Sequence, residues 1–348
     1  MSAEKLAGVL INSQPNFAWL TCGGRNGIDQ SRENGAASIL VTSDGKCFVI
    51  ANNIEMPRIL EEEVLESEFA AVEFAWQEEK AQQGLSAEKA IAIAGGRVGT
   101  EEEFENRIAA CRYSLTRAEV ERYRSICSDA GDALGSSALA VEPGMSEIQV
   151  AGRLRQELSV RGLDPVVTLV AADERICKFR HPVPTEKRWD NALLMVTCAK
   201  RNGLIANLSR MVCVGPVSGE LERKTVATAA IHAALLSQTT PGISGAELYA
   251  TASKAYAGQG FSAEIDLHHQ GGATGYRTRD WVANPASGDK VREYQAFAWN
   301  PSITGTKIED TCVVVDHATE TLTMSDHFPF ITTLIAGKEF KSTGILSI

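Results

Sequence analysis

The sequence predicts a mixed α/β (α+β) protein, and three features carry this prediction. Short apolar stretches alternate with amphipathic stretches whose apolar residues recur every three to four positions. Glycine, proline, asparagine and aspartate mark the turns between them. The dipeptide Pro143-Gly144 is echoed at Pro241-Gly242, and each precedes a serine able to cap a helix. We therefore expect two related halves in the C-terminal part, with their strands gathered in one central sheet.

Length and composition narrow the class of protein. A chain of 348 residues can bury a sizeable core, and we expect two domains, at residues 1–112 and 113–348. The formal charge of −10 and the pI of about 5.3 argue against a nucleic-acid-binding surface. No apolar run approaches the length of a membrane span, and the first residues lack a signal-peptide pattern. The eight cysteines form no CxxC pair, which favours reduced thiols in the cytoplasm over disulfides or a zinc site.

The first domain is expected to alternate strands and helices. Ala37 to Thr42 and Cys47 to Ala51 predict a β-hairpin around the turn Ser43-Asp44-Gly45-Lys46. Further along the chain, the pattern predicts a helix at Met56–Glu66 and strands at Ala70–Trp76 and Ala90–Ala94.

The second domain opens with a capping box, Thr116 followed by Glu119, on a helix that is expected to reach Ala140. Helices are predicted from Ser146 to Arg161, from Ser218 to Thr239 and from Ser244 to Gly258. Strands are predicted at Val166–Ala171, Ala192–Cys198 and Leu204–Val214, with Asn202-Gly203 as a hairpin turn.

Residues 266–280, DLHHQGGATGYRTRD, combine side chains that carry chemistry. Histidine is easily set to exchange a proton near neutral pH, and arginine offers a planar fork for carboxylates. Glycine lets the backbone approach a ligand closely. A structural glycine-rich loop is the simpler reading for a lone histidine, but this combination favours a functional site.

Four segments, in order, resemble the creatinase/aminopeptidase P superfamily of the peptidase M24 type. They are His181-Pro-Val-Pro-Thr, the hairpin from Asn202 to Arg210, the glycine-rich segment at His268, and Gly305-Thr-Lys-Ile-Glu309-Asp-Thr. The likeness covers about two-thirds of the chain, and the first hundred residues resemble the superfamily's N-terminal domain more weakly. The resemblance implies a pita-bread fold in the second domain.

Peptidases of that superfamily hold two divalent metals with two Asp, one His and two Glu. The corresponding positions here are Thr197 or Cys198, Asn207, His268, Asn300 and Glu309. One carboxylate and one imidazole, with amides or hydroxyls elsewhere, are poor ligands for two adjacent dications. We therefore expect no metal and no other cofactor, while a single weakly held ion is the minority interpretation.

The resemblance to creatinase, a member without metals, supplies roles for the remaining residues. It implies that His181 moves protons, that Glu309 faces the substrate's cationic nitrogen and that Arg279 holds its carboxylate. Tyr276 lies in the same segment, and Arg25 of the first domain could reach a neighbouring subunit's site. His268 is counted with the catalytic residues, and His269, Asn207, Asn300 and Thr197 are expected to contact the substrate.

The leading hypothesis is a metal-independent hydrolase that cleaves a C–N bond of a small polar amide, amidine or guanidino compound, with His181 as proton shuttle. Three alternatives stay open: an inactive homologue that serves as a binding module, an Xaa-Pro aminopeptidase, and a lyase acting on a small acid. The resemblance also implies a homodimer, and we expect neither nucleic acid nor membrane as partner.

Overall fold

The computed structural model describes residues 1, 4–65 and 67–348 of the chain. Within this range the chain divides into two compact units, Met1–Arg112 and Tyr113–Ile348. In the described part of the chain, no helix is long and apolar enough to cross a membrane.

The first unit is a five-stranded sheet with helices on both faces. The strand order is β4-β3-β2-β1-β5, in which β1 pairs with β5 and β3 with β4 in parallel, and the other pairs are antiparallel. The strands are β1 Gly8–Ser13, β2 Asn34–Thr42, β3 Cys47–Asn52, β4 Phe69–Phe74 and β5 Val98–Thr100, and the helices are α1 Gln14–Leu20, α2 Met56–Glu62, α3 Trp76–Ala81, α4 Leu85–Ala94 and α5 Glu105–Arg112. Alternate residues of β2 show the two faces, because Ile39 packs against α1 and α2 while Leu40 packs against α4.

The predicted hairpin of β2 and β3 is confirmed, but the strand predicted at Ala90–Ala94 is wrong. These residues end helix α4, which lies between Gly84 and Gly95, both with positive φ. The alternation of Ala and Ile is typical of a strand, which explains the wrong prediction. Alanine, however, is the strongest helix former and has no preference for a pleated sheet, and this favours the helix. The strand predicted from Ala70 also ends earlier, at Phe74, and the helix from Met56 ends at Glu62, while Glu66 lies outside the described residues.

The second unit repeats a motif of two helices followed by strands. Its helices are α6 Arg117–Ala140, α7 Glu147–Val160, α8 Glu174–Lys178, α9 Gly219–Gln238 and α10 Gly245–Gly258. Its strands are β6 Asp164–Ala172, β7 Ala192–Arg201, β8 Leu204–Cys213, β9 Gly271–Thr274, β10 Trp281–Val282, β11 Ala296–Trp299, β12 Ser302–Ile303, β13 Thr306–Lys307, β14 Asp310–Val315, β15 Ala318–Thr321, β16 Phe330–Ile335, β17 Lys338–Thr343 and β18 Ile345–Ser347.

The predicted starts of the helices are confirmed by their caps. Thr116, Ser146 and Ser244 each accept a hydrogen bond from the third residue of the helix, whose Glu or Gln side chain bonds back to the cap. These reciprocal bonds satisfy backbone donors that the first turn of a helix leaves free. The pairs α6–α7 and α9–α10 therefore occupy equivalent places ahead of their strands.

The strands of the second unit form two main sheets rather than the single sheet expected from the sequence. One has the order β18-β8-β7-β6 and the other β10-β9-β11-β14-β15. They meet at one isolated bridge, Ser209 to Glu309. Beside this bridge the hydroxyl of Thr311 accepts a hydrogen bond from the Asn207 N–H and donates one to the Asn207 carbonyl. It therefore satisfies backbone groups of β8 that have no strand partner at this position.

A buried ion pair lies next to this junction. Arg210 and Asp310 have fully buried side chains, 2.7 Å apart. The same guanidinium donates to the carbonyls of Ser209 and Glu309, so it ties β8 to the start of β14. The junction therefore holds the side chains of Asn207, Ser209 and Glu309 in a defined relation to one another.

Candidate functional site

His181 lies in the loop after α8, and bonds on either side of it hold this loop. Arg180 donates to Glu264 at 2.6 Å and to Thr304 at 2.9 Å, and the carbonyl of Pro182 accepts from Val170 of β6 at 3.1 Å. The His181 side chain itself remains exposed. A fixed backbone with an accessible imidazole suits a residue that must meet a substrate.

His268 and His269 follow the 3₁₀ segment Ser262–Leu267 and lead into β9. Gln270 fixes this turn, because its side chain donates to the His268 carbonyl and accepts from the Tyr256 hydroxyl. Gly271 has a φ of 104°, and a Cβ there would lie 2.0 Å from the carbonyl oxygen of Ala298. This glycine is required by close approach of strand β11, whereas the sequence suggested approach of a ligand.

The three imidazoles of this region cluster. The Nε2 atoms of His268 and His181 are 3.2 Å apart. The ring centroids of His268 and His269 are 4.6 Å apart, and those of His181 and His269 are 5.9 Å apart. His268 is buried, whereas His181 and His269 are exposed, so the cluster has one protected and two accessible members.

Glu309 is the charged centre of the site, and two cations hold its carboxylate. Lys307 Nζ lies 2.9 Å from Oε2 and Arg279 Nη2 lies 3.0 Å from Oε1. Ser209 adds a hydrogen bond of 2.6 Å to Oε2. The two cations and one anion leave the group with one excess positive charge.

These neighbours decide the ionisation of Glu309. Burial alone would raise the pKa of its carboxyl, but the charges of Lys307 and Arg279, with the Ser209 hydrogen bond, hold that pKa far below its ordinary value. Glu309 is therefore a permanent carboxylate at any physiological pH.

The pKa values of the three imidazoles are lowered as well, which for a base favours the neutral form. Burial, followed by the charge of Lys307, lowers the pKa of His268 to about 2. His181 and His269 are accessible but partly desolvated by the protein around them: this desolvation and then Arg279 lower the pKa of His269 to about 4, and desolvation and then Lys307 lower that of His181. Because the charged form is disfavoured in each case, all three rings are neutral at pH 7, and the buried His268 is a very weak base.

Strand register decides between the two candidates for the first metal-ligand position. Cys198 pairs directly with Asn207, so the two side chains lie on the same face of the sheet. Thr197 faces the other way and donates to the carbonyl of Val167. The structure thus corrects the choice of Thr197 and places Cys198 on the site face, where burial and then Glu309 raise the pKa of its thiol to about 12.

Asn207 and Asn300 both reach the site with their amides. Asn207 Oδ1 accepts from Arg279 Nη1 at 3.1 Å, which ties β8 to the arginine. Asn300 is 2% exposed, and its Oδ1 has no hydrogen-bond partner among the described residues. Arg279 Nε is a second buried polar atom without a partner there. Such unsatisfied atoms commonly mark the place of a ligand or water.

Tyr276 does not lie in the site as the sequence suggested. Its hydroxyl donates to Glu119 and accepts from Arg122, both on α6, and its ring is buried. Tyr276 lies between β9 and β10, and these bonds direct its side chain towards α6, whereas Arg279 of the same segment reaches Glu309. Arg25 is exposed in the first unit, and its proposed role in a neighbouring subunit stays a prediction.

Lys307 is the residue that sequence reasoning missed. It is 6% exposed and lies on β13, two residues before Glu309. In extended backbone, residues two apart share a face. The two-residue spacing from Glu309 was therefore a usable sequence signal for Lys307.

The residues do not fit a centre of two divalent metals. Both oxygens of the one carboxylate, Glu309, already accept from cationic side chains, and the Asn207 oxygen accepts from Arg279. The remaining positions offer a protonated thiol, an amide and a single imidazole. Two further dications beside Lys307 and Arg279 would meet strong repulsion with little anionic charge to offset it.

Comparisons with known proteins agree with this fold. The profile of metallopeptidase family M24 matches residues 120–316, which is more than half of the chain. A sequence search of curated proteins finds no match. Among solved structures, a prolidase from Pyrococcus furiosus superposes with a TM-score of 0.76 at 18% identity, over 94% of this chain and 98% of that chain.

Two further solved structures show the same architecture. A Xaa-Pro dipeptidase from Bacillus anthracis matches with a TM-score of 0.75 at 15% identity, over 100% of this chain and 96% of its own. An X-Pro aminopeptidase from Thermotoga maritima matches with a TM-score of 0.75 at 15% identity, over 99% and 98%. The chain belongs to metallopeptidase family M24 and has its pita-bread α/β fold, which places it among peptidase-type hydrolases.

Proposed function

We propose that this protein is a metal-independent hydrolase that cleaves the C–N bond of a small polar amide. The observation that carries the proposal is that Lys307 and Arg279 both form ion pairs with Glu309. Two side-chain cations supply, inside the protein, positive charge of the kind that metals provide in a metallopeptidase. They can stabilise negative charge that develops on a substrate carbonyl oxygen in a buried setting.

The charges also favour one part of the expected substrate range. A guanidinium or amidinium group would need Glu309 as its counter-ion, but that carboxylate is already bound by two cations and Ser209. The excess positive charge instead suits a neutral amide that carries a carboxylate. Arg279 keeps its Nε–H unpartnered, and this donor can meet the substrate carboxylate.

His181 is the proposed proton shuttle. It is neutral at pH 7, accessible, and hydrogen-bonded through Nε2 to the buried His268. In the proposed reaction it takes a proton from the attacking water and delivers it to the leaving nitrogen as the C–N bond breaks. A positioned base of this kind contributes on the order of a hundredfold or more to the rate.

Xaa-Pro peptidase activity, which the names of the structural neighbours suggest, is the main competing function. It would require a metal centre for which this chain offers too few anionic ligands, as the bonds of Glu309 and Asn207 indicate. Supplying Mn²⁺ or Co²⁺ to the purified protein with an Xaa-Pro dipeptide tests this alternative directly. Turnover that depends on added metal would refute the proposal.

The decisive assay uses protein treated with a chelator and verified as metal-free by elemental analysis. N-acyl and N-carbamoyl amino acids should be hydrolysed, and guanidino acids should not. His181→Ala should reduce kcat by a factor of at least about one hundred. His317→Ala is the matched control, because His317 is largely exposed in a turn and pairs only weakly with Glu293 at 3.4 Å. Equal activity of the two variants would remove the proton shuttle.

A further inference from the structure

The histidine cluster has a geometry that the proposed reaction does not require. Each of His181, His268 and His269 offers a ring nitrogen, and these three atoms lie within 4.8 Å of one another. Among the residues that the structure describes, this is the one such group of histidine, cysteine or acidic side chains. It contains a single member of the family's metal-ligand positions, His268.

Distances in the cluster match the needs of a small transition ion. Tetrahedral zinc with Zn–N bonds of about 2.0–2.1 Å places its ligand nitrogens roughly 3.3 Å apart. The Nε2 atoms of His181 and His268 are already 3.2 Å apart. His269 is exposed, so its ring can rotate the remaining distance without disturbing a packed core.

We propose that His181, His268 and His269 form a binding site for one divalent transition ion of the zinc type. Neutral imidazoles are the ligands that such ions accept most readily, and three of them leave a fourth position for water. The site differs from a dinuclear centre in ligand set, because Glu309, Asn207 and Asn300 take no part.

Two features of the surroundings limit the affinity. The excess positive charge of Lys307 and Arg279 opposes a dication. Metal on Nε2 of His268 would put the ring proton on Nδ1, which is buried with no acceptor among the described residues. Metal-bound histidines usually donate this proton, and lack of the acceptor weakens binding. We therefore expect a reversible site, weaker than a structural zinc site.

Occupation of this site should inhibit the enzyme. This part rests on the proposed function, because the ion would take the lone pair that His181 needs to accept a proton. Zinc would thus act as a reversible inhibitor of a reaction that runs without it.

Binding is tested on the full-length protein by titration with Zn²⁺ alone and by Co²⁺ absorption, which reports coordination directly. One ion per chain should bind, and His269→Ala should weaken binding by at least about tenfold. Asn207→Ala, at a dinuclear-centre position outside the cluster, should still bind one ion per chain, because its amide is not a ligand of the proposed site. His317→Ala controls for adventitious binding, and thermal melts verify that each variant is folded. Failure to bind, or binding of two ions that Asn207→Ala abolishes, would overturn the site.

Lys307→Met provides a second readout, since removal of the opposing charge should tighten Zn²⁺ binding. Unchanged or weaker binding in this variant would contradict the location of the ion.

Activity measured with and without Zn²⁺ distinguishes failure of the metal site from failure of the proposed function. Loss of metal-free turnover on adding Zn²⁺, and its recovery with chelator, supports both. Metal-free turnover without any Zn²⁺ binding refutes the site alone. A third outcome is that Zn²⁺ binds to the histidine cluster but the protein turns over substrate only when metal is present. This outcome refutes metal independence and inhibition by zinc, but it leaves the proposed binding site intact.

Discussion

Replacing Lys307 by methionine tests the charge arrangement at the centre of the site. Methionine keeps an unbranched stem but removes Nζ, so Glu309 retains Arg279 and Ser209 as partners. Lys307 and Glu309 are only 5% and 4% exposed in their side chains, and removing one partner of a buried pair costs about 3–5 kcal/mol. Because two partners of Glu309 remain, we expect the lower end, about 3 kcal/mol.

For a unit of this size, that loss corresponds to a decrease in Tm of about 6–12 °C. Thermal unfolding followed by circular dichroism measures it. Lys224→Met is the matched control: Lys224 pairs with Glu220, whose side chain is 73% exposed, so the loss should stay below about 1 kcal/mol.

The combined variant Lys307→Met, Glu309→Gln removes the anion together with one cation. It should be less destabilised than the sum of the single variants, with a coupling of at least about 1 kcal/mol. Additive single effects would show that the two charges do not stabilise each other, and the reasoning about this site would fail.

The effect should depend on pH in a defined direction. The pKa of Glu309 is lower in the folded than in the unfolded protein, so its stabilisation is complete above the unfolded value of about 4.5 and decreases as the pH falls below it. The stability difference between wild type and Lys307→Met should therefore be constant near neutrality and shrink in acid. A difference that grows below pH 4 would contradict the assignment.

Four further predictions concern catalysis and assembly. Because the pKa of His181 is lowered from 6.5, activity should persist in mild acid. The acidic limb of the pH profile of kcat/KM should have its midpoint below pH 6.5, and a midpoint above this pH would exclude His181 as the base. Asn300→Ala should raise KM by roughly threefold to tenfold, because a buried acceptor for the substrate is lost, and steady-state kinetics showing no change would remove Asn300 from the site. Arg279→Lys should raise KM more than it lowers kcat, since lysine lacks the planar fork, and an unchanged KM would argue against a carboxylate anchor. Light scattering should show a homodimer, and Arg25→Ala should then reduce activity without changing the dimer; a monomer at working concentration would exclude that role.

Local patterns in the sequence were sufficient for much of the architecture. The helices beginning after Thr116, Ser146 and Ser244 could be predicted because their capping boxes involve residues only three positions apart. The hairpin around Asn202-Gly203 followed from its turn residues in the same way. The helix at Ala90–Ala94 was missed because alternating alanine and isoleucine fits two periods equally well.

The candidate site was only partly within reach of the sequence. The resemblance to the superfamily, carried by four segments in order, implied that His181, His268 and Glu309 belong to one site. It could not show that Cys198 rather than Thr197 faces that site, because a shift of one residue in strand register exchanges the two faces.

From the sequence, then, local patterns predicted the helices and hairpins, and the resemblance to the superfamily implied the pita-bread fold and neutral side chains at most of the metal-ligand positions. Only the tertiary structure showed that two cationic side chains lie beside Glu309. Lys307 and Arg279 come from different segments and meet at Glu309 because the ends of β13 and β14 pack against the segment that follows β9. Electrostatic energy depends on distance in space, so the two-residue spacing of Lys307 and Glu309 could suggest their pairing, whereas the separation of 30 residues between Arg279 and Glu309 could not.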